Sequence, residues 1–112
     1  MSIQLHIFYA IVILQADGFD WDRGNRAKCE NHGLSIATIE SLFRHAPAIL
    51  PDAAHSQREK RLRAIGRTDK RRGVFIIFTL RRKRDELLIW LMSARYMHKK
   101  EIEVYEKENP DL

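Results

Sequence analysis

The positive charge of this chain is concentrated in a stretch that also carries strand-like apolar runs. Residues 58–84 contain twelve Lys or Arg residues and two acids, whereas the whole chain of 112 residues has 20 basic and 15 acidic residues. The apolar runs 62–65 and 74–80 fall within that stretch. A disordered basic tail has nothing to bury and therefore lacks such runs. The pattern predicts cations mounted on a folded sheet and indicates a polyanionic partner, with nucleic acid as the best fit.

The size and composition of the chain predict one soluble domain, residues 1–112, with a single modest core. The lone cysteine, Cys29, excludes an internal disulfide framework and fits a reducing cytoplasm. The apolar segment 7–14 is far shorter than the roughly 20 residues that span a bilayer, and no basic region precedes it. We therefore expect a core strand or a short helix there, no membrane association, and a cytoplasmic location.

Two capped helices are predicted in the first half of the chain. Asp22 is a suitable N-cap for a helix that runs to about His32, and Gly33 suits the position after its end. Ser35 can cap a second helix, in which apolar residues recur at helical spacing. A short extended piece, 48–50, lies between two prolines. The polar segment 52–57 is expected to be a loop.

The second half of the chain changes to the pattern of strands. Residues 61–68 alternate, with Arg61, Arg63 and Arg67 on one face. Residues 74–80 are apolar on both faces, as in a central strand. We expect a turn at 81–85, a third strand at 86–94, and a final helix at about 98–107. The predicted fold class is α+β, with N-terminal helices packed on an antiparallel β-sheet and a C-terminal helix.

Acidic and histidine residues give little support for a metal site. Asp17, Asp20 and Asp22 lie within six residues and could hold Mg²⁺, but a turn acid, a surface acid and an N-cap account for them better. The histidines form no HxxxH or HExxH pair. We therefore predict no metal and no other cofactor.

The cations are the remaining candidates for chemistry. Arg95 follows an apolar strand, and an arginine fork can grip a phosphate and stabilise charge that develops on it. RNA carries its own nucleophile, the 2′-hydroxyl, so Arg, Lys, His and Tyr suffice for cleavage. Nearby, Tyr96 could stack a base or relay a proton, and His98 could serve as a general acid. The alternative is a basic face that binds phosphate without catalysis, and nothing in the residues alone favours catalysis over it.

Several short segments, taken together, resemble the BrnT family of toxins over residues 19–106. In chain order these segments are Phe19-Asp20-Trp21-Asp22, Lys28, His32-Gly33-Leu34-Ser35, Asp52 with His55, Arg63 or Arg61 before Ile65-Gly66-Arg67, and Ser93-Ala94-Arg95 leading to Glu101 and Tyr105. Their order and spacing make the resemblance more specific than any one of them. Residues 1–16 lie outside the family core, either as a genuine extra element or because translation begins later.

The resemblance implies a small RelE-like ribonuclease, the toxin of a type II toxin–antitoxin pair that inhibits translation and growth. It further implies a BrnA-like antitoxin with a ribbon-helix-helix domain, and repression of their own operator DNA by the complex. Four basic positions of the family motif become candidates for catalysis: Lys28, His32, Arg67 and Arg95. We expect Arg61, Arg63, Tyr96 and His98 to bind RNA, with the register between Arg61 and Arg63 left open.

Three hypotheses follow. The first is a metal-independent ribonuclease toxin whose antitoxin lays an acidic or amphipathic segment across Arg61, Arg67 and Arg95. The second is a non-catalytic, nucleic-acid-binding regulatory module, which would bind in a salt-dependent way and leave RNA intact. The third is a module whose basic face binds an acidic protein. A neighbouring gene for a ribbon-helix-helix protein would favour the first.

Overall fold

The computed structural model describes residues 2–7, 12–52 and 60–108, and these form one seven-stranded sheet with three helices. The spatial order of the strands is β2-β1-β4-β5-β6-β7-β3. In chain order the strands are β1 (Ile3–Ile7), β2 (Val12–Ala16), β3 (Gly18–Asp20), β4 (Ala48–Pro51), β5 (Leu62–Arg67), β6 (Gly73–Lys83) and β7 (Glu86–Tyr96). The helices are α1 (Arg23–Asn31), α2 (Ile36–Arg44) and α3 (Lys99–Glu108).

The two N-terminal helices begin at the predicted caps. The Asp22 carboxylate accepts a hydrogen bond from the Asn25 backbone N–H at 2.8 Å, and the Asn25 side chain accepts one from the Asp22 N–H. Ser35 Oγ accepts from the Thr38 N–H at 3.1 Å. These bonds satisfy N–H groups that have no partner within a helix. His32 is the C-cap of α1, and Gly33 follows in the left-handed region at φ +80°. The sequence predictions for both helices are confirmed.

The sheet is mixed, whereas the sequence predicted an antiparallel one. Strands β4 to β7 are antiparallel neighbours, as expected. However, β1 pairs with β4 in parallel, and β3 pairs with β7 in parallel. Parallel neighbours need a long crossover connection, and here the chain between each pair contains helices. The three-residue strand β3 is too short to leave a periodic signal in the sequence.

The hairpin of β6 and β7 is longer than predicted. Arg81 and Lys83 continue β6 and pair with Leu88 and Glu86 of β7. The predicted turn at 81–85 is therefore wrong, and only Arg84 and Asp85 form the turn. The charged run misled the prediction because the hairpin projects into solvent at this end. There, charged side chains fit a strand as well as a turn.

The apolar segment 7–14, predicted as one element, is divided between two strands. β1 and β2 pair antiparallel, with Ile7 opposite Val12. Residues 8–11 lie outside the described part of the chain, as do 53–59, most of the predicted polar loop. None of the helices in the described ranges is long and apolar enough to cross a membrane.

The core lies between the sheet and the helices α1 and α2. Phe78 of β6 is fully buried, and its ring meets that of Phe43 of α2 edge to face, at 5.1 Å between centroids. Phe19 adds a second edge-to-face contact to Phe43 at 5.6 Å. Alternate residues of β5 also point into this core, because Leu62 and Ala64 are buried and Arg63 is only half-buried. Arg63 of β5 and Arg95 of β7 are therefore directed away from α1 and α2.

Candidate nucleic-acid interface

Arg67 lies at the end of β5, where a tight turn holds it. The Thr68 N–H donates to the Arg72 carbonyl at 2.9 Å, and the Arg71 N–H donates to the Thr68 carbonyl at 2.8 Å. Arg71 itself is in the left-handed region, at φ 64°. Arg67 Nη1 donates to the Arg71 carbonyl at 3.0 Å. The turn therefore fixes both the backbone and the guanidinium of Arg67.

A cleft of about 650 Å³ separates α2 from this turn, and we call it the α2 cleft. Its wall on the side of the turn carries Arg67, Lys70 and Arg72, with Asp69 as the only acid among its described lining residues. Its other wall presents hydroxyl and imidazole groups from Thr38, Ser41 and His45. Cations opposite hydrogen-bonding side chains make a suitable environment for phosphate.

Tyr96 also lines the α2 cleft. The Arg72 guanidinium lies over its ring, 3.5 Å from the centroid. Gly33 approaches the ring from the side of α1, since a Cβ atom at Gly33 would stand 3.9 Å from it. Thus the His32-Gly33 segment lies beside the cleft, and His32 is exposed at the end of α1. The structure brings Arg67 and Tyr96 to one cleft, with the His32 segment adjoining it.

Arg95 lies on the opposite face of the sheet, beneath α3. Both of its terminal nitrogens donate to the Glu101 carboxylate, at 2.9 and 2.8 Å. Its guanidinium also lies 4.8 Å from the centre of the Phe75 ring. Ala94 and Tyr96, its neighbours along β7, face the core because side chains alternate along a strand. Hence the alternation separates Arg95 from Tyr96, although they are adjacent in sequence.

Helix α3 supplies a carboxylate to each of the two predicted catalytic arginines. Glu101 pairs with Arg95, and Glu106, one and a half turns further along the helix, pairs with Arg67. The helix sits close to the sheet at Gly73, where an added Cβ atom would come within 2.6 Å of the Ile102 side chain. Between α3 and the end of α2 lies a second cleft of about 590 Å³, which shares Arg67 and His45 with the α2 cleft.

The Glu101–Arg95 pair leads to a prediction for the pH dependence of stability. The hydrogen bonds from Arg95 lower the pKa of Glu101 from its ordinary value of 4.5 to about 2. The pair therefore stabilises the folded state fully above about pH 4.5, and this contribution is lost as the pH falls toward 2. We expect Glu101→Gln to lower the thermal midpoint at pH 6 and to lower it progressively less between pH 4.5 and 2. A difference that does not vary with pH over this window would contradict the assignment.

The other predicted site residues lie apart from the α2 cleft. Lys28 is exposed in the last turn of α1. Arg63 donates two hydrogen bonds, from Nε and Nη2, to the Pro51 carbonyl at 3.2 and 3.0 Å, and so it ties β5 to β4. Arg61 is half-buried just before β5. His98 precedes α3, and its backbone N–H donates to Glu101 at 3.2 Å.

The three aspartates near the N-terminus have structural partners. Asp17 accepts a hydrogen bond from the Leu87 N–H at 2.7 Å, and Asp20 pairs with Lys83 at 2.8 Å. The Asn25 backbone N–H and the Trp90 indole N–H lower the pKa of Asp22. Within the described ranges no three His, Cys, Asp or Glu side chains form a group that could hold a metal ion.

Sequence reasoning missed most of the polar residues of the α2 cleft, among them Lys70, Arg72 and His45. Lys70 and Arg72 lie between the two predicted strands 61–68 and 74–80, and nothing in that segment shows which helix it will face. His45 carried a weak signal, since it follows Ser41 by four residues at the end of an amphipathic helix. α2 and the turn at 68–72 are distant in sequence and face each other only in the folded chain, so no local pattern shows their arrangement.

The family of the chain is shown by a match over residues 21–101 to the model for "Ribonuclease toxin, BrnT, of type II toxin-antitoxin system". The chain belongs to this family. The match includes α1, α2 and β4 to β7, and therefore every residue of the α2 cleft. Among curated proteins no relative matches the chain. Membership implies ribonuclease activity and an antitoxin partner.

Proposed function

We propose that the protein is a metal-independent endoribonuclease that cuts RNA in the α2 cleft. The observation that carries this proposal is the position of Arg67, which a hydrogen-bonded turn holds on the cleft wall with Lys70 and Arg72, opposite a histidine. Three cations around one cleft favour a phosphodiester as the group bound there.

The residues that line the cleft can stabilise the charge that develops when RNA is cleaved by its own 2′-hydroxyl. The 2′-hydroxyl of RNA attacks the adjacent phosphorus once it has lost its proton, and negative charge then builds up on the phosphoryl oxygens. The Arg67 guanidinium, with five donors, can hold two of these oxygens. Tyr96 offers an aromatic surface for an adjacent base, on the face that Arg72 occupies in the free protein.

The carboxylates of α3 support the assignment of both arginines as oxyanion ligands. Glu101 accepts two parallel bonds from Arg95, which is the geometry that a phosphate would take. The Glu106 carboxylate pairs with the Arg67 guanidinium, at the position where a phosphate would bind. Both pairs are partly exposed, so a polyanion can displace the carboxylates. We propose that RNA phosphates replace Glu106 at Arg67, and that Arg95 binds the strand further along.

We further propose that the antitoxin is a BrnA-like protein with a ribbon-helix-helix domain, that the complex binds operator DNA, and that free toxin inhibits translation and growth. The two ion pairs of α3 support an acidic antitoxin segment, because Arg67 and Arg95 already hold carboxylates. A RelE-like fold is part of the same proposal, supported by helices packed on an antiparallel four-strand core.

Incubation of the purified protein with end-labelled RNA in excess EDTA tests the proposal. We expect cleavage that leaves 2′,3′-cyclic phosphate and 5′-hydroxyl ends, because the 2′-hydroxyl is the nucleophile. If RNA stays intact in EDTA but is cut when Mg²⁺ is added, metal independence is wrong. RNA that stays intact also with added ribosomes would instead favour the non-catalytic binding module.

A further inference from the structure

We infer that His45 is the general base that removes the proton from the 2′-hydroxyl of RNA. This inference rests on the proposed ribonuclease function and names a catalytic residue for it. His45 is the C-cap of α2, is exposed, and lines both clefts that meet at Arg67.

The hydrogen bond between His45 and the Ser41 carbonyl determines which ring nitrogen can act as the base. Its Nδ1 lies 2.7 Å from the Ser41 carbonyl oxygen, one turn back along α2. A carbonyl oxygen only accepts hydrogen bonds, so Nδ1 carries the proton. In the neutral ring Nε2 then has a free lone pair and can accept a proton. The same bond fixes the orientation of the ring, as a buried carboxylate does for histidine in many hydrolytic enzymes.

A general base must lie close to the group that holds the substrate, and His45 shares its cleft with Arg67. Arg67 lies on the wall of the same cleft, where it can hold the phosphate whose neighbouring 2′-hydroxyl is to be deprotonated. His45 is the only histidine among the described residues that line the α2 cleft. Histidine is also the side chain most often used for proton transfer near neutral pH.

The proposed step balances within RNA and His45. The 2′-O–H bond breaks, and its proton moves to His45 Nε2 while the 2′-oxygen forms a bond to phosphorus. The bond from phosphorus to the 5′-oxygen of the next nucleotide breaks, and that oxygen takes a proton from solvent. The products are a 2′,3′-cyclic phosphate and a 5′-hydroxyl, and neutral His45 is restored when it releases its proton to solvent.

The variant His45→Asn distinguishes a catalytic role of His45 from a structural one. The asparagine amide can still donate to the Ser41 carbonyl, but it has no nitrogen that accepts a proton. We expect the single-turnover rate of RNA cleavage to fall by about 10²-fold or more. The affinity for RNA with a 2′-methoxy group in place of the nucleophile should stay within about threefold, and the thermal midpoint should be retained. His6→Asn, an exposed histidine on β1, is the matched control and should cleave at the parent rate.

Rescue of RNA cleavage by added imidazole is a second test, because imidazole would not restore activity if His45 had only a structural role. Imidazole in solution should restore part of the cleavage by His45→Gly, and it should leave Arg67→Ala unchanged. Cleavage by His45→Asn at the parent rate would overturn this inference alone. If the parent protein cuts no RNA with or without ribosomes, the proposed function fails as well.

Discussion

Replacement of Arg67 by alanine is expected to lower RNA cleavage by about 10²–10³-fold, the loss typical when one oxyanion donor is removed from an active site. Arg67 lines both clefts, as His45 and Leu42 do, and its guanidinium already holds a carboxylate from α3. The measurement is the single-turnover rate with end-labelled RNA in EDTA. The substitution should lower the cleavage rate more than the affinity for RNA, because Lys70 and Arg72 still provide positive charge for binding.

The control for Arg67→Ala is Arg26→Ala, which removes the same charge from an exposed position on α1. We expect the control to cleave RNA at close to the parent rate. Both variants should keep the thermal midpoint, since the Arg67–Glu106 pair is exposed and such pairs contribute about 0–1 kcal/mol. Equal losses of activity in the two variants would mean that Arg67 acts only through the overall charge of the protein.

Replacement of Phe78 by alanine is expected to cost about 3–5 kcal/mol of unfolding free energy. Phe78 is fully buried, and it links β6 to α2 through its edge-to-face contact with Phe43. The loss combines the transfer free energy of the ring with the cavity that it leaves. Since domains of this size are stable by about 5–15 kcal/mol, the variant should lose a large fraction of its stability. Urea denaturation monitored by circular dichroism measures the change.

Val104→Ala is the control for Phe78→Ala. Val104 lies on α3 with 55% of its surface exposed, so its truncation should change stability by less than about 0.5 kcal/mol. A loss below about 1 kcal/mol for Phe78→Ala would contradict the packing described here. It would mean that α2 is not held to the sheet by this ring, and the α2 cleft would lose its fixed wall.

The local elements of the fold were predictable because their signals lie within a few residues. Asp22 and Ser35 are caps that act on backbone groups three positions away, and Gly33 marks a helix end. The alternation around Leu62 and Ala64 likewise fixed which face of β5 is buried. The parallel pairs of the sheet were not predictable in this way. They join segments of distant sequence, and no local pattern specifies them.

The candidate site was predictable only in part, for a related reason. Alternation along a strand could have shown that Arg95 and Tyr96 face opposite sides of the sheet. The partners of Arg95 and Arg67 could not be derived, because Glu101 and Glu106 reach them only when α3 folds back over the sheet. Likewise, His45 reaches the cleft only because the tertiary fold places α2 opposite the turn at 68–72.

The central claim is that RNA binds in the α2 cleft, and amide chemical shifts in a titration with RNA test it most directly. The probe is a short single-stranded RNA with 2′-methoxy groups, which binds without being cut. The titration is carried out at one low salt concentration, because salt weakens binding to phosphates. We predict the largest shifts at the cleft walls, around Thr38, Ser41, Thr68 and Arg72. Shifts confined to residues 82–85, in the exposed hairpin at the far end of β6, with none at the cleft walls, would contradict the claim.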